Sequence, residues 1–231
     1  MALSRLVEIA ARSFAEITLQ NFVGSANKQE LNRRMETEPR IQTASSSHQI
    51  WKGEPDRILI WEPKLSGMKC DKIEVFDEYV VELEQRLIHS MTCYGGIGLA
   101  APQVGIFKRA FVMAYDGVNR FMVNPKIVGY SGITHEREGC LSLPGASAKG
   151  NRQRNPAYVR RYETVEVEYR DKTGEEEREE FKGHTARVVQ HEVDHLKGTF
   201  FIDLCSSMQR ELVLKHLENF KYYYAKKVVD P

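Results

Sequence analysis

Apolar residues recur at three- and four-residue intervals between Asp71 and Met91, at Ile73, Phe76, Val80, Leu83, Leu87 and Met91. That spacing predicts an amphipathic helix, and Gly95 and Gly96 predict its end. The pattern then changes. Phe107 to Tyr115 and Arg120 to Val128 read as strands joined by the turn Asp116-Gly117. Thr164 to Arg170 alternates Val165, Val167 and Tyr169 with Thr164, Glu166 and Glu168, a strand with one wet face. Asp171 to Gly174 predicts a turn, and Glu175 to Lys182 a charged edge strand. Helices are expected over residues 185–196 and 206–227. The last would bury Leu212, Leu214, Leu217, Phe220 and Tyr223.

Other stretches lack such periodicity. Gly96 to Gly105 is too rich in small residues and proline for regular structure, and its glycines allow a ligand or another strand to approach closely. Residues 131–147 are punctuated by glycine, and residues 147–161 carry Lys149, Arg152, Arg154, Arg160 and Arg161 with no acid, a loop-like basic stretch. The body begins with the short apolar run from Asp56 to Trp61. Ahead of it, a helical pattern over residues 3–22 ends near Gly24 and a polar stretch follows. The expected organisation is therefore an N-terminal helical extension and linker over residues 1–55, followed by one catalytic domain over residues 56–231.

The chain has 231 residues, enough for one domain plus an extension. Its formal net charge of +1 supplies no global field for nucleic acid or membrane. Cys70, Cys93, Cys140 and Cys205 show no paired spacing, which fits a reducing compartment and leaves each as ligand, nucleophile or core filler. No apolar run approaches the ~20 residues of a membrane helix, so no membrane contact is expected. The N-terminus lacks the apolar core of a secretory signal. It has Arg5, Arg12 and an amphipathic look, but Glu8 and Glu16 speak against an organellar presequence. A cytoplasmic location is expected, with an organelle as the alternative.

The chemistry gathers at Gln190-His191-Glu192-Val193-Asp194-His195. On a helix, His191 and His195 project from one face and can hold one metal ion, with Glu192 placed to exchange protons with water at that ion. Solvated surface histidines are the ordinary alternative, but Val188, Val189, Val193 and Leu196 make this helix half-buried. A catalytic site needs a third ligand and one open position. Phe201 stands where the long metzincin pattern has its third histidine, which excludes that class. Glu211 or Glu218 would serve a thermolysin-like enzyme, and Cys140 would give a Cys/His/His set, although a free cysteine is most often a small buried hydrophobe.

Three stretches together resemble the peptide deformylases. Gly96-Ile97-Gly98-Leu99-Ala100-Ala101-Pro102-Gln103 resembles their GxGLAAxQ motif, Glu138-Gly139-Cys140-Leu141-Ser142 their EGCLS motif, and Gln190 to His195 their QHExDH motif. The likeness covers roughly residues 57–205, in the family's order. It implies an α+β fold with antiparallel sheets around a central metal-binding helix, and a C-terminal helix. It implies removal of the formyl group from N-formylmethionyl peptides and nascent chains. It further implies Cys140, His191 and His195 as metal ligands and Glu192 as general base and then acid. Gln103 and the Leu141 amide would bind the formyl oxygen, and Gly98 and Glu138 would line the substrate site. The implied ion is Fe²⁺, with Zn²⁺, Ni²⁺ or Co²⁺ as substitutes. The resemblance also implies ribosome contact through the basic C-terminal helix (Arg210, Lys215, Lys221, Lys226, Lys227), whereas the basic stretch over residues 149–161, longer than the family's usual loop, reads as a solvated loop, a rim on the substrate cleft or a contact with ribosomal RNA.

Overall fold

The structure, a computed structural model, describes residues 51, 53–144 and 157–229. The expected N-terminal helix and most of the basic stretch before Ala157 lie outside the described residues. Seven strands and three helices carry the fold: α1 (Glu78–Cys93), β1 (Gly98–Ala100), β2 (Ala110–Tyr115), β3 (Val118–Ser131), β4 (Thr134–Arg137), β5 (Tyr158–Arg161), β6 (Thr164–Arg170), β7 (Glu176–Lys182), α2 (Gly183–His195) and α3 (Ser207–Val229). Strands β1-β2-β3-β6-β7 form one antiparallel sheet in that order, and β4-β5 form a second. The fold is α+β.

Side chains alternate across a strand, and the large sheet uses both faces. Phe111 and Met113 of β2, with Met122, Val165, Val167 and Phe181, meet Val189, Val193 and Leu196 from α2. Ala110 and Val112, with Phe121, Val123 and Leu99, meet Val80, Leu83, Leu87 and Met91 from α1. The sheet is thus sandwiched, and residues 186–193 of α2 are all buried. A third cluster joins Trp61, Leu143, Val159, Phe201 and Ile202 to Val213 and Leu217 of α3.

Several boundaries depart from the periodic reading. Helix α1 starts at Glu78, not at Asp71. The Asp77 carboxylate accepts from the Tyr79 amide and caps the helix there, while Asn124 binds both the N–H and the C=O of Ile73 and holds that residue extended. Gly96 to Gly105 is more regular than its composition suggests, since it contains β1 and a 3-10 turn over Ala101–Val104. Strands β4 and β5 arise in stretches read as loops. On α3 the buried positions are Val213 and Leu217, while Leu212 is exposed. The Asp116-Gly117 turn occurs as expected, with positive φ at both residues as a type I′ hairpin requires. Strand β7 is the expected edge.

Candidate metal centre and active site

Helix α2 lies between the large sheet and the small one and brings His191 and His195 to one side of itself. Their Nε2 atoms stand 3.2 Å apart. Cys140, on the turn that follows β4, places Sγ 3.3 Å from the His195 Nε2. The three donor atoms all lie within 4.8 Å of one another and all three residues are buried. A thiol and two imidazoles converging in a buried space form a donor set for a divalent transition metal. Glu211 and Glu218 are exposed on α3 and stand outside this group, so the thermolysin-like alternative fails. Phe201, the residue that breaks the metzincin pattern, packs its ring along His191 with centroids 6.1 Å apart.

Glu192 sits one residue from His191 and is 4% exposed. Burial pushes its carboxyl up to about 7. Its Oε2 has no hydrogen-bond partner among the described residues, a costly state unless a ligand completes it. Gly98 faces this carboxylate, and a Cβ there would lie 2.9 Å from the Glu192 Cδ. The glycine is required by that close approach.

Gln103 is fixed by β1 and the 3-10 turn: its Oε1 accepts from the Ala100 amide at 2.8 Å. That leaves its Nε2 to donate toward the Cys140 Sγ at 3.4 Å and the Ser142 Oγ at 3.3 Å. Leu141 follows the cysteine, and among the described residues its N–H donates to no backbone carbonyl. The extended run at residues 58–61 clamps both loops, with Leu59 N–H donating to the Gln103 carbonyl and Trp61 N–H to the Ser142 carbonyl.

Glu138 does not face the cleft in the way its expected substrate-binding role requires. It is 6% exposed, and both carboxylate oxygens are occupied. Arg161 donates to both oxygens at 2.8 and 2.9 Å, Arg187 donates to Oε1 at 2.8 Å, and the His191 Nδ1 lies 2.9 Å from Oε2. Burial alone would raise the Glu138 carboxyl, but the hydrogen bonds from Arg161 and His191 outweigh it and hold the group well below the usual carboxylate range. Glu138 therefore stands behind His191 and orients its ring. Arg161 also reaches Asp194, and Arg187 bonds the Val159 carbonyl and Thr134 Oγ1. Asp194, Arg161 and Arg187 escaped the sequence reading. The one signal for them is Asp194 inside the helix motif, whose partners sit on a strand that periodicity does not reveal.

The two ring charges oppose each other. Burial works against a proton on His191, yet Cys140 and Glu138 hold its pKa well above the ordinary value. Burial and the neighbouring His191 push His195 well below it.

The family model for polypeptide deformylase matches residues 55–211. A peptide deformylase of Pseudothermotoga lettingae is 41% identical over 161 residues, which cover 69% of this chain and 87% of the relative. The crystal structure of a peptide deformylase from Legionella pneumophila superposes with a TM-score of 0.67 at 32% identity, covering 74% of this chain and 98% of that one. That from Thermotoga maritima gives a TM-score of 0.60 at 34% identity, covering 67% and 99%. The chain belongs to the polypeptide deformylase family.

Proposed function

We propose that this chain removes the formyl group from the N-terminal formylmethionine of newly made polypeptides and releases formate. The observation that carries the reading is the buried convergence of Cys140 Sγ and the two histidine Nε2 atoms beside a carboxylate held against Gly98. Cys140, His191 and His195 would hold the ion. When bound, it acidifies water at its open position and polarises a carbonyl.

The chain's own groups do the rest. Glu192 takes a proton from the attacking water, and oxygen bonds to the formyl carbon. Charge develops on the formyl oxygen, and the Gln103 Nε2 and the Leu141 N–H donate to it. One such donor is worth ~3 kcal/mol in the transition state. The carbon–nitrogen bond then breaks, and Glu192 passes its proton to the departing amine. A carboxyl lifted towards neutrality by burial suits both steps. The backbone of β1 at Gly98 packs directly against the carboxylate and fixes where it sits. Glu138 and Arg161 position His191 and do not touch substrate.

Fe²⁺ is the ion this reading assigns in the cell, with Zn²⁺, Ni²⁺ or Co²⁺ able to occupy the same donors. The site calls for a cytoplasmic workplace near translation, although no helix among the described residues is long and apolar enough to cross a membrane in any case. For ribosome contact through α3, Lys215 is exposed, whereas Arg210 is tied to Asp203 and Lys221 donates to the Trp61 carbonyl. Residues 1–55 are read as an N-terminal extension and linker ahead of a catalytic domain over residues 56–231. Substituting Glu192→Ala tests the mechanism: deformylation should collapse while metal content stays at wild-type level. Retained activity would overturn the assignment.

A further inference from the structure

Among the described residues, the small sheet is covered on one side only. Its pairs are Thr134 with Arg161, His135 with Arg160, Glu136 with Val159, and Arg137 with Tyr158. Alternation puts Thr134, Glu136, Val159 and Arg161 on one face. That is the inner face, where Arg161 bonds Glu138 and where Arg187 meets Thr134, the Val159 carbonyl and Glu136.

The outer face carries His135, Arg137, Tyr158 and Arg160, all exposed. Ile133 and Tyr162, one residue beyond each strand, continue the alternation at 53% and 39% exposure. Tyr130 of β3, 64% exposed, stacks on Tyr162 with centroids 4.1 Å apart. Arg137 lies over the Tyr158 ring at 5.0 Å, and the His135 ring packs 5.8 Å from it. Among the described residues, the face thus combines exposed rings with arginines and holds no carboxylate. The outward positions of β6 and β7 are the opposite, with Glu166 and Glu168 bonded to Arg178. In a chain with 33 basic and 32 acidic residues, this is a local segregation of charge.

We propose that this outer face binds single-stranded RNA. Every base has a π-face, so bases can stack on the Tyr130–Tyr162 pair and on His135 without sequence preference, while Arg137 and Arg160 meet phosphates. Protein partners also use Tyr and Arg, but a face of arginines without carboxylates matches a repeating anion, which a nucleic-acid backbone supplies. Here an arginine faces outward from each strand, between the rings. A duplex offers no unstacked bases. The choice of RNA over DNA rests on the deformylase reading, which sets the reaction beside a ribosome. Strand β5 then has two jobs: Tyr158 and Arg160 face RNA, while Arg161 between them and Tyr162 supports the carboxylate behind His191.

The test is fluorescence anisotropy of a labelled oligouridylate of about twelve nucleotides with the full chain, between ~50 and ~200 mM salt. Expected is saturable binding that weakens with salt. Tyr130→Ala and Tyr162→Ala should each weaken it roughly tenfold. Arg137→Ser combined with Arg160→Ser should reduce the salt slope by ~1.4, two contacts at ~0.7 each. His135→Ala, exposed and outside the core, serves if a tyrosine variant does not fold, and should also weaken binding. Formate release from formyl-Met-Ala-Ser and the thermal midpoint should match wild type in every folded variant, which separates failure here from failure of the deformylase reading. Absence of saturable binding by wild type, variants that bind as wild type does, or an acidic peptide binding as tightly as the RNA would each overturn the proposal.

Discussion

Glu192, the proposed proton carrier, illustrates how little of a carboxylate's behaviour is its own. The same carboxylate on an exposed helix would ionise as glutamates ordinarily do, whereas here burial moves it to about 7. Its position depends on a residue with no side chain. Gly98→Ala would push the carboxylate from its place against β1. We expect kcat to fall about a hundredfold with bound metal unchanged, as measured by steady-state formate release and metal analysis. Unaltered kcat would mean that the carboxylate has room the structure does not show. Glu138 gives a second test. Glu138→Gln removes the anion that Arg161 and Arg187 share and leaves them only Asp194 and the more exposed Glu136, which should cost ~1.5–3 kcal/mol in urea unfolding. Its folded carboxyl is held low, so the stability it contributes is full above the unfolded value near 4.5 and is lost as pH falls below that. The acid limb of the thermal midpoint against pH should therefore flatten in Glu138→Gln. An unchanged limb would assign it to other groups.

Among the elements, those built from apolar periodicity were legible and those built from charge were not. The residues of β6 and the hairpin turn Asp116-Gly117 follow directly from alternation and turn chemistry. Strand β5 hides because its buried face includes Arg161, which reads as polar although Glu138 and Asp194 neutralise it inside the protein. Strand β1 hides because glycine and alanine carry almost no strand signal. The early start given to α1 failed at a capping aspartate and at Asn124, a partner some fifty positions away along the chain. Gly198, just beyond α2, is held to glycine by its backbone and its neighbours. It takes φ +69° after α2, and a Cβ there would lie 2.6 Å from the Met68 carbonyl oxygen. Because Gly67 N–H also donates to the Gly198 carbonyl, Gly198→Ala should force this crossing apart. A thermal midpoint lowered by several degrees is expected; an unchanged midpoint would show that the crossing is slack.

Across the whole molecule, the site draws on three separate stretches: β1 with its 3-10 turn, the turn after β4, and α2. The sequence named the site's chemistry through those motifs, while the architecture that closes them on one another came from the structure. Binding of an ion at their meeting point links them, so it stabilises the fold in proportion to its affinity. Chelation should lower the thermal midpoint and abolish activity, and both should return on adding Fe²⁺ without oxygen. Because a thiol and imidazoles bind an ion in their deprotonated forms, apparent metal affinity should rise with pH; titration calorimetry in two buffers would detect the released protons. The most direct measurement is anaerobic formate release from formyl-Met-Ala-Ser, with metal analysis of the same sample, for wild type and Cys140→Ala. The account predicts turnover with one equivalent of iron in wild type and loss of both metal and formate in the variant. A folded, iron-loaded wild type that releases no formate, or a Cys140→Ala protein that keeps its metal and activity, would contradict it.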